Sequence, residues 1–336
     1  MNSLSEGYAP LIDFLPWSPP SVSHQSSRNV PPDNSLIVVR DTIRANGSCV
    51  LYTIASQYLL SGDENGRVLW LSSGRIGPLS VRRVFRSMGV GTAVAGGNDA
   101  GRGGGWRRDP PGQSSVTDVG RRGGRAVLGN ATRLDCIQIP NELTKEILAV
   151  TRTHDIEFDV GCYLRRLMER IREWVCREPV GPSLIVLDDF TSLSSILGQG
   201  AGLGGAIAFK YLQALRFDIL KSAATGSDLP VLAVRCSSHE SRAEGQMGWI
   251  GSVPPSVPKP SAHWDDLLLL LADITFDCVG LPSGPSRAAH GRITVSRRKY
   301  GNVTSAGGDG GHSVLNYIAS PDGGGGGVLV MELSSG

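Results

Sequence analysis

Four short runs in this chain are apolar at every position: Leu36-Ile37-Val38-Val39, Val68-Leu69-Trp70-Leu71, Leu184-Ile185-Val186-Leu187 and Val231-Leu232-Ala233-Val234. A strand with one face in water alternates apolar and polar residues. A strand that does not alternate must be covered on both faces, as in the middle of a parallel sheet sandwiched between helices. Between these runs the period becomes helical. Val50, Leu51, Ile54, Ala55, Tyr58 and Leu59 recur at i, i+3, i+4 and stop at Ser61-Gly62. Ile76 to Met88 is amphipathic, and Ala206 to Lys221 reads as a further helix. Tyr163, Leu164, Leu167, Met168, Ile171, Trp174 and Val175 make an apolar face opposite Arg165, Arg166, Glu169, Arg170, Arg172 and Glu173, ended by Pro179, Gly181 and Pro182. Leu134 to Ile139 adds a strand. Beyond Val234 the texture changes: Ile274 to Val279, Arg292 to Val295, Ser313 to Ile318 and Val328 to Leu333 follow one another without helices. The pattern predicts an α/β fold with a mostly parallel sheet flanked by helices, extended by antiparallel C-terminal strands.

At 336 residues and 40% hydrophobic, the chain can bury a substantial core. Its 44 glycines and 20 prolines are unevenly placed. We expect a disordered tail over 1–34 and a single domain over 35–334, with a disordered Gly/Arg-rich insertion at about 89–130 and flexible glycine-rich segments near 305–312 and 321–327. In the insertion, Arg102, Arg107, Arg108, Arg121, Arg122 and Arg125 face only Asp99, Asp109 and Asp118. It reads either as solvated insertion or as an arm that meets RNA phosphates. The net charge of +2 does not by itself argue for nucleic acid.

The cysteines (Cys49, Cys136, Cys162, Cys176, Cys236 and Cys278) show no C-x-x-C spacing, and most lie in apolar runs, so we expect reduced core residues. The histidines form no H-E-x-x-H, and no metal site is expected. The N-terminal stretch carries Glu6 and Asp13 without a basic n-region, and no apolar run approaches the roughly 20 residues that span a bilayer. A reducing compartment follows, the cytoplasm with the nucleus as a second location, and no membrane partner.

A strand, a turn and a helix over Leu36 to Leu59 is where α/β nucleotide-binding proteins carry G-x-x-x-x-G-K-[ST]. Its backbone N–H groups cradle phosphates, its lysine neutralises them and its hydroxyl holds magnesium. The octet here is Thr42-Ile43-Arg44-Ala45-Asn46-Gly47-Ser48-Cys49. Only Gly47 fits. Ser48 stands in the lysine's place and Cys49 in the hydroxyl's, where a soft, neutral thiol is a poor ligand for a hard ion. Gly47, Ser48 and Cys49 therefore read as a degenerate nucleotide-binding turn, with an ordinary strand–turn–helix carrying Gly47 at a tight turn as the competing reading. Asp188-Asp189 ends a buried strand where a Walker B carboxylate would meet magnesium, although acidic residues there also start loops and cap helices. Together these features indicate a RecA-like, P-loop NTPase-like fold with degenerate Walker motifs. Phosphoryl transfer depends on positioning and electrostatics, so no hydrolysis is expected from the chain alone, no catalytic residue is assigned and no cofactor is predicted. The alternative is an active RecA-type ATPase in which Arg44 replaces the lysine. Gly198 to Gly205 contains a G-x-G-x-x-G-like spacing, but it follows a helix-like segment and is weak as a dinucleotide fingerprint.

Three segments in order, Leu271-Ala272-Asp273-Ile274, Leu281-Pro282-Ser283-Gly284 and His290-Gly291-Arg292-Ile293-Thr294-Val295, resemble the C-terminal signature of the Elongator complex protein 6 family. Asn46 to Leu51 resembles that family's lysine-free first turn, and Val186 to Leu193 its acidic segment, so the likeness spans Leu36 to Val295. It departs at the Gly89 to Gly129 insertion and at the glycine-rich segments around Gly307 and Gly323, while Ser72 to Gly77 is a loose match. The resemblance implies a non-catalytic, RecA-like accessory subunit. It would assemble with two paralogous subunits, Elongator complex proteins 4 and 5, into a heterohexameric ring with two copies of each. The ring would serve the catalytic Elongator subcomplex, which modifies the wobble uridine of tRNA with acetyl-CoA and iron–sulfur chemistry held in another subunit. It also implies that the ring binds tRNA and couples tRNA release to nucleotide hydrolysis at subunit boundaries. In such a ring the loop from His239 to Ser261 would face the centre, making Arg242, Trp249 and Lys259 candidate tRNA contacts. An ordinary exposed loop is the competing reading. Identity with the paralogous complex protein 5 is a further alternative.

Overall fold

The computed structural model describes residues 9–17, 30–42, 45–60, 66–74, 76–90, 133–152, 159–177, 181–197, 204–223, 229–237, 264–285, 289–298, 312–318 and 329–332. Ten strands among them form one sheet: β1 (Ala9–Pro10), β2 (Leu36–Asp41), β3 (Arg67–Ser72), β4 (Leu134–Gln138), β5 (Ser183–Asp188), β6 (Val231–Ser237), β7 (Ile274–Gly280), β8 (Gly291–Arg297), β9 (His312–Ile318) and β10 (Leu329–Glu332). Their order is β1-β10-β9-β8-β7-β2-β6-β5-β3-β4. From β7 to β4 the pairings are parallel; from β7 to β1 they are antiparallel. This is the fold class the sequence predicts.

The helices are α1 (Ser48–Leu60), α2 (Pro78–Ser87), α3 (Ile139–Arg152), α4 (Val160–Cys176), α5 (Phe190–Leu197), α6 (Gly204–Ala223) and α7 (Trp264–Leu271). Strand parity divides the core in two. Ile37, Val39, Val68, Trp70, Val186 and Ala233 point to the face covered by α1 and α2. Leu36, Val38, Leu69, Leu71, Ile185 and Val234 point to the face covered by α4, α5 and α6. Both parities of each central strand thus need apolar side chains. Strand β8 instead alternates buried and more exposed residues, as expected where one face is open.

Two expectations need correction. Ala9–Trp17 is not a structureless tail: β1 pairs with β10, Leu11 and Leu15 are buried, and Trp17 Nε1 donates to Gln57 Oε1 at 3.0 Å. The reason lies in α1, which is apolar nearly all round and needs cover on its outer side as well as from the sheet. Of the segment expected as an insertion at about 89–130, Gly89 (φ +80°) turns the chain out of α2 and Val90 is buried, while 91–132 lies outside the described residues, as do 305–311 and 321–328. Cys162 and Cys176 are exposed on α4, while Cys236 and Cys278 are core residues. The sequence reading also passed over α3 and α7, while the helix-like segment before Gly198 is α5. Helix α3 starts at Ile139, where the strand was expected to continue.

Gly291 occupies a position that no other residue fits. A Cβ there would lie 2.7 Å from the Val279 carbonyl oxygen and 2.6 Å from Tyr317 Cε1. The backbone on one side cannot yield cheaply. We expect Gly291→Ala to lower unfolding free energy by about 1–3 kcal/mol in urea titration; an unchanged midpoint would contradict this packing.

Candidate functional site

The C-terminal ends of parallel strands are where open α/β sheets place their sites. Here β2 ends in Asp41 and β5 in Asp188, and β6, which lies between them, carries Arg235. All three have the parity of the face under α1. The Arg235 side chain runs across the sheet: Nε donates to Asp188 Oδ1 at 2.6 Å and Nη1 to Asp41 Oδ2 at 2.7 Å. Side-chain exposures of 12% for Arg235, 5% for Asp41 and 1% for Asp188 make this a buried ion triad. Ser237 Oγ adds a bond to Asp41 Oδ1 at 3.0 Å. Burial pushes the Asp188 carboxyl above its ordinary range, while Arg235 pulls it back. Burial also opposes charge on Arg235, but Asp188 and Asp41 outweigh it and hold the guanidinium protonated.

The turn above the triad is closed on itself. Thr42 and Ala45 exchange backbone hydrogen bonds at 3.2 and 3.1 Å. Gly47 N–H donates to Asp41 Oδ2 at 3.2 Å, and Ser48 N–H donates to Asn46 Oδ1 at 2.9 Å. A Cβ at Gly47 would stand 2.7 Å from Val39 Cγ1 and 3.2 Å from Asp41 Cβ, so glycine is required by the close approach of the turn to β2. The buried Ser48 hydroxyl finds no hydrogen-bond partner. The Cys49 thiol donates to Asn46 O at 3.2 Å, and burial pushes its pKa up to about 12.

These residues do not fit a magnesium–nucleotide. Two N–H groups that would cradle phosphate already donate within the turn, one of them to a carboxylate that would repel an anion. The Cys49 thiol stays neutral well above physiological pH. The carboxylate that would meet magnesium, Asp188, is already held by an internal cation. The acidic pair divides its work: Asp189, at φ +67°, caps α5, accepting from Ser192 N–H at 3.1 Å and Ser192 Oγ at 2.5 Å. Of the residues singled out in the sequence, Gly47, Ser48, Cys49, Asp188 and Asp189 are at or beside this strand edge. Arg44, Arg242, Trp249 and Lys259 lie outside the described residues. Asp41 and Arg235 were missed. Each was legible only as a charged residue closing an apolar run.

No protein-family model matches the chain, and no curated protein does. Among solved structures, it is similar to the RadB recombinase, at 13% identity and TM-score 0.42 over 88% of this chain and 90% of that one. It is also similar to the flagellar accessory protein FlaH from Methanocaldococcus jannaschii, at 12% identity and TM-score 0.45 over 89% of this chain and 90% of that one.

Removing Arg235 would strand two buried carboxylates. We expect Arg235→Met to cost about 3–5 kcal/mol at neutral pH. Without the guanidinium, burial alone acts on the Asp188 carboxyl and holds it above the unfolded value of about 3.9, so the deficit is full at neutral pH and shrinks as pH falls through that raised folded-state value. Urea titrations at two pH values check this; a deficit that stays constant down to acid pH would contradict it.

Proposed function

We propose that this protein is a non-catalytic, RecA-like accessory subunit of Elongator, acting in a ring with two paralogous subunits that binds tRNA and supports wobble-uridine modification by the catalytic subcomplex. The observation that carries the non-catalytic part is the Arg235 guanidinium set between Asp41 and Asp188. A positive charge is built into the chain where an ATPase would recruit one with its nucleotide. The Elongator part rests on the likeness of Leu271–Ile274, Leu281–Gly284 and His290–Val295 to the family's signature, and Gly291 gives one of those residues a packing reason. A domain of this kind persists because its surface is needed by neighbours.

Co-expression with tagged candidate paralogues, followed by native mass spectrometry, tests the assembly. A hetero-oligomer containing this chain is expected, and a chain that stays alone beside both paralogues would refute the reading. For catalysis, we expect the isolated chain to show no ATP turnover. Turnover that Asp188→Asn abolishes would instead establish an active ATPase. For tRNA, neutralising Arg242 and Lys259 in the assembled ring should weaken binding and flatten its salt dependence by about two units of log–log slope or less. Unchanged affinity and slope would remove this loop from the tRNA surface.

A further inference from the structure

Charge in this chain is sorted by position. From Pro78 to Arg133 the sequence holds ten arginines against three aspartates, with no lysine and no glutamate, a balance of +7; the whole chain carries +2, so the rest of it carries −5. Helix α2 holds Arg82, Arg83 and Arg86 of that excess and no acidic residue. At 3.6 residues per turn these three and Leu79 lie within roughly 100° of one another, turned away from the buried Val81 and Phe85. The apolar side of α2 is occupied, because the Phe85 ring packs edge-on against Trp70 at 5.9 Å and Tyr52 at 5.4 Å. The neighbouring helix α1 carries no charged side chain. Residues 91–132 join Val90 to Arg133, and Val90 and Leu134 are buried in the same core cluster as Phe85, so both attachment points of this basic stretch lie beside α2. The opposite helix layer is balanced: on α4, Arg166 pairs with Glu146 at 2.5 Å, Arg170 with Glu142 at 2.6 Å and Arg172 with Asp218 at 3.0 Å. Among the described residues no carboxylate pairs with Arg82 or Arg83.

We propose that the outer face of α2 is an RNA-binding surface on which Arg82, Arg83 and Arg86 meet backbone phosphates. Arginine offers a phosphate two parallel N–H donors and stacks on exposed bases, and the excess here is made of arginine alone. A repeating anion matches guanidinium groups repeated along a helix. Protein interfaces draw their energy from clusters of apolar and aromatic anchors, and this face turns only one apolar side chain, Leu79, outward. An anionic membrane calls for an apolar helix face to insert, and that of α2 is packed on Trp70 and Tyr52. The surface is separate from the 239–261 loop. It rests on the proposed function only in taking tRNA as one of its ligands.

The test is fluorescence anisotropy with fluorescein-labelled tRNA and labelled polyuridylate, on the assembled ring and on the full-length chain alone. Arg83→Gln combined with Arg86→Gln, both at exposed positions, should lower the log–log salt slope by about 1.5 units. Between about 50 and 200 mM salt the unaltered protein should therefore lose about tenfold more affinity than this variant. Arg83→Lys combined with Arg86→Lys keeps the charge and should keep the slope. Unchanged affinity and slope in the glutamine variant overturn the proposal. Competition by polyglutamate as strong as that by tRNA at equal charge also overturns it, in favour of an acidic protein partner. The outcomes separate this surface from the proposed function. If neutralising Arg242 and Lys259 weakens tRNA binding while the α2 variant does not, the α2 surface fails and the tRNA reading stands. If no ring forms, yet polyuridylate binding by the single chain depends on α2, the Elongator reading fails and this surface stands.

Discussion

Because β2, β3, β5 and β6 are covered on both faces, polar side chains are admitted mainly near their ends, and charge there has to be balanced within the fold. That constraint produces the Arg235 triad. Two carboxylates from the ends of β2 and β5 lie under the first turn of α1, shielded from water, and a guanidinium from β6, the strand between them, is what makes their burial tolerable. The triad also sets the turn above it. Asp41 accepts from Gly47 N–H, so the loop that leads into α1 is drawn down onto β2 rather than open to a ligand.

The same strand ends carry the functional argument. In a nucleotide-binding domain of this architecture, positive charge at this edge comes from a lysine in the turn and from a metal ion. Here it comes from a strand residue whose partners are both internal. The internal cation, the engaged N–H groups and the neutral Cys49 thiol together tie this turn into the fold.

Much of the fold was legible in sequence because its signal is strong. Unalternating runs such as Leu184 to Leu187 admit few environments, and the apolar face of α4 recurs over four turns. The N-terminal segment was not legible. Leu11, Leu15 and Trp17 lack any periodicity, and their burial follows from the need to cover α1. Cys162 and Cys176 sit near apolar residues in sequence but on the outer face of α4 in space. At the site, the turn Gly47-Ser48-Cys49 and the pair Asp188-Asp189 could be found because a motif specifies where to look. Arg235 could not, since nothing in a linear pattern says that a charge after Val231–Val234 will meet two carboxylates from distant strands.

The sequence by itself determined the alternation of buried strands and helices, the absence of the phosphate-binding lysine, and the acidic pair at the end of β5. These are local properties, set by side-chain period and by residue identity. Only the tertiary structure decided how the Gly47-Ser48-Cys49 turn is held. Strand order placed β6 between β2 and β5 and so brought Arg235 against Asp41 and Asp188, residues separated by much of the chain. Burial then made that ion pairing obligatory.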